Sequence, residues 1–158
     1  MNRLTKISAV VVTCLCVGYF ASIITKPNIE AWYQYIEKPF FTPPNWLFAP
    51  VWTLLYCMMG VAAGLVWDKI DNNREIIKKA LIVFGVQLAL NAAWSFIFFG
   101  LHNPLLGLLE IIVLLLMIYE TYTQFTKINK IAGYLLIPYL IWVSYATVLT
   151  ASIWWLNR

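Results

Sequence analysis

The stretch PFFTPPNWLFAPVWTLLYCMMGVAAGLVW, residues 39–67, contains no charged residue in 29 positions. Its first third is rich in proline and aromatic residues, and the remainder is a continuous apolar run that ends at Trp67, just before Asp68. Prolines fit the start of a helix because the first N–H groups there have no partner within the helix. The stretch therefore predicts a rigid aromatic loop that leads directly into a membrane-spanning helix. Such a loop favours a site for a flat, apolar ligand.

The composition of the whole chain is that of a membrane protein. Of its 158 residues, 62% are hydrophobic and 11% are charged, whereas soluble domains carry about 25% charged residues. A helix needs about 20 mostly apolar residues to cross the hydrocarbon layer of a bilayer. Runs of this kind lie at residues 4–25, 45–67, 76–100, 104–124 and 131–156. We therefore predict an all-α fold: an integral membrane bundle of five transmembrane helices, forming a single domain over residues 1–158 with a long loop at residues 26–44.

Basic residues are divided unequally between the two ends of the predicted spans. Eight of the 11 Lys and Arg residues lie near the N-terminus, in the second and fourth connections or in the first turn of the third span, and three lie in the first connection or at the C-terminus. The positive-inside rule then predicts a multi-pass protein of the cell membrane with its N-terminus in the cytoplasm and loop 26–44 outside. This anchoring accounts for the net charge of +4, so we expect the lipid bilayer as a partner and no nucleic acid. The frequent Lys, Ile and Asn residues favour a bacterial origin.

Side chains that bind metals are scarce within the spans. Cys14, Cys16 and Cys57 all lie inside apolar runs, where we expect them to be small buried side chains. His102 is the only histidine, and it lies in a short loop. Structural zinc sites, di-iron sites and haem ligation by two histidines need His, Cys or carboxylate clusters. We therefore predict no metal site and no obligatory cofactor, and a Ser/His/Asp triad cannot be assembled either.

Polar residues inside the spans require an explanation, because placing a polar side chain in lipid costs free energy. Gln87, Asn91, Trp94 and Ser95 share one face of the third span by their spacing. The second and fifth spans carry comparable stripes of aromatic, small or polar residues, namely Trp52, Tyr56 and Met59, and Trp142, Ala146 and Leu149. Two interpretations are open. The polar groups join the helices by hydrogen bonds, or they orient a ligand in a pocket between the three faces.

Glu110 is the one acidic residue well inside a span. It lies six residues after Pro104, about 9 Å along the helix at a rise of 1.5 Å per residue. A carboxylate within the membrane is a candidate for a proton-carrying or other polar site. A structural acid near the interface is the alternative.

Gly60 and Gly64 form a GxxxG motif in the second span. This spacing permits close contact between helices, either inside the bundle or across a homodimer. The first use is the one we expect.

The chain resembles the TspO/MBR family, the tryptophan-rich sensory proteins that include the mitochondrial translocator protein, once called the peripheral benzodiazepine receptor. Three segments carry the resemblance: residues 32–67, 87–100 and 138–157. The most specific is the pattern KPxxTPPxWxFxxVWTxLY within the first segment. Together the segments cover nearly half of the chain and agree with five spans.

The resemblance implies a porphyrin or drug-like ligand between the helices, under the first loop. The positions that match the pocket of the family are Trp32, Trp52, Asn91, Trp142 and Ala146. With the stripes described above, the predicted ligand-binding residues are Trp32, Trp52, Tyr56, Gln87, Asn91, Trp94, Trp142, Ala146 and Leu149.

The resemblance favours a membrane sensor or receptor that binds a tetrapyrrole, with protoporphyrin IX or a benzodiazepine-site compound as ligand. One alternative is a transporter of porphyrins or other amphipathic molecules, which would use Glu110. Another is a light- and oxygen-dependent enzyme that degrades porphyrin, with Trp52 and Trp142 as its redox-active residues. A purely structural partner protein would need no such pocket.

The chain departs from the animal proteins at the end of the fifth span. Their cholesterol-recognition pattern needs a Tyr and a basic residue, and this sequence has Ala151 and Trp155 at those places. The absence of the pattern argues against a sterol as ligand, although the motif is weak even where it is present. Thr150 also replaces an asparagine that is usual in animal members, so the lower pocket is expected to differ.

Overall fold

The computed structural model describes residues 1–158 and contains six α-helices. They are α1 (Arg3–Ala31), α2 (Asn45–Trp67), α3 (Arg74–Ser95), α4 (Pro104–Ile128), α5 (Lys130–Leu135) and α6 (Ile137–Leu156). A 3₁₀ turn, Tyr33–Tyr35, follows α1, and a π-helical turn, Phe96–Gly100, prolongs α3. Five stretches are long and apolar enough to cross a membrane, because α5 and α6 together form the fifth. The predicted all-α bundle of five spans is confirmed.

Helices α1 and α4 extend beyond the predicted spans. The first helix ends at Ala31 rather than at residue 25, and α4 ends at Ile128 rather than at residue 124. The first connection is therefore residues 32–44, shorter than the predicted loop 26–44. Apolar runs measure the depth of the hydrocarbon layer, whereas a helix continues as long as its backbone hydrogen bonds continue. In α1 they continue past Pro27 to a bond of 3.0 Å from the Trp32 N–H to the Asn28 carbonyl.

The fifth span is interrupted at one residue. Leu136 separates α5 from α6, and its N–H donates to the Gly133 carbonyl three residues back, at 3.0 Å. Pro138, the second residue of α6, has no N–H to donate to the preceding turn. The chain therefore tightens before the proline and then continues as a helix, a detail that the apolar run 131–156 does not reveal.

The two glycines of the GxxxG motif pack α2 against α1. A Cβ added at Gly60 would overlap the backbone of Val11, and one added at Gly64 would lie 2.5 Å from the Ile7 Cα. The predicted use of the motif inside the bundle is thus confirmed. Because α1 occupies this surface, a homodimer would have to use another one.

Contacts between the helix ends show which connections share a side of the bundle. Lys6 and Asp68 form an ion pair of 3.7 Å that joins the N-terminus to the second connection. On the opposite side, His102 Nε2 lies 2.7 Å from the Asn28 Oδ1, which joins the third connection to the end of α1. The count of basic residues on each side assumed this same grouping of the connections. Which side faces the cytoplasm stays a prediction.

The three cysteines differ in burial. Cys14 is buried, as expected, whereas Cys57 is only half-buried and Cys16 is exposed on the outside of α1. The expectation of burial was wrong for Cys16 because a membrane protein presents apolar side chains to lipid as well as to its own core.

Candidate ligand-binding site

A cavity of about 280 Å³ lies between the helices at the end of the bundle that carries the first connection. Most of its 26 lining residues are apolar, and every one of the five spans contributes to it. Ligand sites for small molecules are typically apolar, with few polar groups, and measure about 300–1,000 Å³. The cavity has this character and lies just below that size range.

Seven of the nine predicted ligand-binding residues line the cavity. They are Trp52, Tyr56, Asn91, Trp94, Trp142, Ala146 and Leu149. The stripes on the second, third and fifth spans therefore do converge. Phe48, one turn before Trp52, lies edge-on to Trp142 with ring centroids 6.3 Å apart, so aromatic rings from α2 and α6 form adjoining walls.

Trp32 and Gln87 are not among the lining residues. Trp32 ends α1, and its ring stacks on His102 with centroids 4.8 Å apart. The adjacent Tyr33 is buried and lines the cavity instead. The 3₁₀ turn that begins at Tyr33 changes the direction of the chain at this point, which helical spacing alone would not predict.

Gln87 belongs to a chain of hydrogen bonds that joins α2, α3 and α6. The Tyr56 hydroxyl donates to Asn91 Oδ1 at 2.5 Å, and Asn91 Nδ2 donates to the Tyr139 hydroxyl at 2.7 Å. The Tyr139 hydroxyl donates to Gln87 Oε1 at 2.8 Å, and Gln87 Nε2 lies 3.7 Å from the Met59 sulfur. All of these groups are buried. The network supports the interpretation that the polar stripe joins the helices.

Asn91 nevertheless keeps hydrogen-bonding capacity that this network does not use. A carboxamide offers two N–H donors and an oxygen with two lone pairs, and the network uses one donor and one lone pair. Asn91 lines the cavity as well. The two interpretations of the stripe are therefore compatible at this residue.

Two polar groups near the cavity are buried without a hydrogen-bond partner. One is the indole N–H of Trp94, whose ring lines the cavity and stacks on Phe98 with centroids 4.8 Å apart. The other is the carboxyl group of Glu110, which does not line the cavity although its neighbour Ile111 does. A buried polar group without a partner is destabilising. Both groups are therefore candidates for roles beyond packing.

Helix α1 supplies a wall that the sequence interpretation missed. Gly18, Ala21, Ser22 and Thr25 line the cavity, at spacings of three and four residues that place them on one helical face. This stripe of small residues was visible in the sequence, but it has no aromatic or strongly polar member to draw attention. Phe98 and Phe99 were missed as well. The π-helical turn, in which the Leu101 N–H donates to the Phe96 carbonyl at 3.0 Å, displaces both from regular helical spacing.

The first connection is fastened over this end of the bundle. The Tyr145 hydroxyl donates to the Phe41 carbonyl. The Asn157 carboxamide makes two bonds to the backbone of Glu37, accepting from its N–H at 3.0 Å and donating to its carbonyl at 2.8 Å. The Lys38 ammonium donates to the carbonyls of Tyr33 and Ile36 at 2.8 and 2.9 Å. Tyr145 itself lines the cavity, so these bonds tie the loop to the cavity wall.

No three His, Cys, Asp or Glu side chains come together as a metal site would require. The cavity wall consists mainly of aromatic and apolar side chains with a few polar ones.

Comparison with known proteins agrees with this architecture. The model of the TspO/MBR family matches residues 9–156. A tryptophan-rich protein TspO from Archaeoglobus fulgidus is 42% identical over 157 residues, which are 99% of each chain. A tryptophan-rich sensory protein from Cereibacter sphaeroides is 35% identical over 81% of this chain and 78% of its own. The human translocator protein is 35% identical over 78% of this chain and 73% of its own.

Proposed function

Because the chain belongs to the TspO/MBR family, we propose that it is a membrane receptor that binds a tetrapyrrole such as protoporphyrin IX in the cavity between its helices. The observation that carries the proposal is the pairing of aromatic walls with a polar group. Trp52 and Trp142 both line the cavity, and Asn91 reaches it with unused hydrogen-bonding capacity. Aromatic rings favour stacked or edge-on packing against a flat apolar ring system, and a carboxamide suits the nitrogen atoms at its centre or the oxygens at its rim.

The volume of the cavity bears on whether a tetrapyrrole can fit in it. At about 280 Å³ it is small for a macrocycle, since typical sites for drug-sized ligands extend to about 1,000 Å³. We expect the first connection to move when the ligand binds, because this segment is held by side-chain hydrogen bonds rather than by regular structure.

Titration of the purified protein with protoporphyrin IX tests the proposal. We expect Trp52→Ala and Trp142→Ala to weaken binding at least about 10-fold each, the scale on which buried aromatic anchors act in binding sites. Trp46→Ala is the matched control, because Trp46 lies on the same helix as Trp52 but is exposed and does not line the cavity. Equal binding by all four proteins would contradict the proposed site, and absence of binding by the wild type would contradict the proposed ligand.

Transport of the same class of ligand is the second candidate, favoured by the unpartnered carboxyl group of Glu110. Acidic residues within membranes often mark proton or solute pathways. Uptake of protoporphyrin IX by vesicles that contain the protein distinguishes transport from binding alone, and Glu110→Gln should abolish uptake while retaining binding. Illuminating the same complex in the presence of oxygen, followed by product analysis, tests the third alternative, porphyrin degradation that involves Trp52 and Trp142.

A further inference from the structure

We propose that the cavity selects an amphipathic anion, whose acid group binds the ammonium group of Lys26 while its apolar body lies among the aromatic walls. This inference rests on the proposed function and specifies the class of its ligand. It also assigns a specificity-determining role to a residue outside the aromatic and polar stripes.

Lys26 belongs to the cavity-facing side of α1. Ser22, Lys26 and Ile29 all line the cavity, and they follow one another at intervals of four and three residues, the spacing of one helical face. Because α1 continues to Ala31, Lys26 is carried by a regular helix rather than by a loose loop. It directly follows the apolar run 4–25, so its charge lies where the hydrocarbon layer ends.

No negatively charged side chain in the cavity balances the charge of Lys26. It is the only charged residue among the lining residues, which include no Asp or Glu. Glu30 lies one turn further along the same helix, but the one ion pair in the structure is between Lys6 and Asp68. Lys26 is exposed, so solvent screens its charge in part, but an unpaired positive charge on the wall of a cavity still raises the local concentration of anions and favours their binding.

Lys38 does not take this role, although it lies in the neighbouring loop. Its ammonium group already donates to the backbone carbonyls of Tyr33 and Ile36, and it does not line the cavity. Asn45 is another exposed polar residue that lines the cavity. A carboxamide can donate to an acid group beside an ammonium.

The cavity lining extends from Lys26 in both directions along the chain, towards Gly18 and towards Tyr33, and most of it is apolar. Along α1 the lining runs from Lys26 back to Gly18, about 12 Å at a rise of 1.5 Å per residue. A matching ligand therefore carries its acid groups along one edge and a flat apolar body of similar length beyond it. A tetrapyrrole with carboxylate side chains on one edge meets this description, whereas a neutral apolar molecule would leave Lys26 unused.

A comparison of protoporphyrin IX with its dimethyl ester tests the inference, because the ester retains the ring and the carbonyl groups but lacks the negative charges. For the wild type we expect the free acid to bind more tightly than the ester, and the difference to shrink as salt is added. Lys26→Gln should weaken binding of the free acid about 3- to 10-fold, the scale of a partly exposed ion pair, and should leave binding of the ester unchanged. Arg158→Gln is the control, since Arg158 has a cation on the same side of the bundle but packs on Trp155 outside the cavity.

The outcomes separate this inference from the proposed function. If neither compound binds the wild type, the proposed ligand is wrong. If both bind but Lys26→Gln weakens them equally, or weakens neither, the cavity binds the ring without selecting its charge and the inference is overturned. The second result would mean that the ammonium serves lipid head groups, as lysines near the ends of membrane helices often do.

Discussion

At the scale of single residues, Asn91 shows how one side chain serves both the fold and the site. Its carboxamide is bonded on one side to Tyr56 and on the other to Tyr139, so it joins three spans. It also lines the cavity. The stripe of polar residues could be predicted from the sequence, but the partner Tyr139 could not, because its position on the fifth span depends on how the helices pack.

We expect Asn91→Ala to reduce both ligand binding and stability. Loss of a hydrogen bond to a buried partner costs about 1–3 kcal/mol, which corresponds to a decrease in affinity of about 5- to 100-fold. The hydroxyls of Tyr56 and Tyr139 also lose a partner, so the melting temperature without ligand should fall. Both quantities can be measured on one preparation, by titration of the folded protein and by thermal unfolding.

Tyr139→Phe is the control for that experiment. It removes hydrogen bonds to Asn91 and Gln87 at a residue that does not line the cavity. If it lowers stability and leaves affinity near that of the wild type, the effect of Asn91 on binding is direct. An equal loss of affinity in both variants would show that Asn91 only holds the helices together.

At the scale of helices, the close contact between α1 and α2 depends on glycines, which have no side chain to keep the backbones apart. Gly60 and Gly64 let the backbones of the two helices meet, and Gly18 on α1 leaves room for the ring of Tyr56. The motif on α2 was evident in the sequence. Its partner helix was not, because a GxxxG motif specifies a close approach without specifying what approaches.

We expect Gly60→Ala to destabilise the bundle strongly, because the added Cβ would overlap the backbone of Val11. Gly85→Ala is a matched substitution on α3 at a position where an added Cβ meets nothing within 4 Å. It should be neutral or stabilising by up to about 1 kcal/mol, since glycine disfavours helices. Thermal unfolding in the same detergent compares the two. Similar melting temperatures for both variants would show that the contact between α1 and α2 contributes little.

The ends of the helices mark the limit of prediction from apolar runs. Helix α2 was predicted with its observed bounds, Asn45–Trp67, because prolines precede it and Asp68 follows it. Helix α1 was predicted too short, since Lys26 and Pro27 end the apolar run but do not end the helix. Lys26 was consequently assigned to a loop, and its place on the cavity wall emerged only from the structure.

At the scale of the whole molecule, the arrangement of five spans leaves one property to be determined, namely the orientation in the membrane. The connection that contains Asn72 and the N-terminus share one side, joined by the ion pair between Lys6 and Asp68. The first connection and the C-terminus share the other, joined by Glu37 and Asn157. The distribution of basic residues predicts that the first of these sides faces the cytoplasm.

Cysteine labelling of intact cells checks this orientation. In a background in which Cys14, Cys16 and Cys57 are replaced by alanine, a cysteine at the exposed Gln34 should react with an impermeant reagent added outside. A cysteine at the exposed Asn72 should react only after the cells are opened. Labelling of Asn72→Cys alone in intact cells would show that the protein has the opposite orientation, with the first connection in the cytoplasm.

The bonds that fasten the first connection also bear on how fast a ligand arrives and leaves. If the proposed ligand enters past this loop, which is held by Tyr145, Lys38 and Asn157, we expect opening of the loop to limit the rates in both directions. Association should therefore reach a plateau as the ligand concentration rises, instead of increasing in proportion. Occupancy of such a protein would follow the average ligand level over the residence time, and brief fluctuations would leave it unchanged.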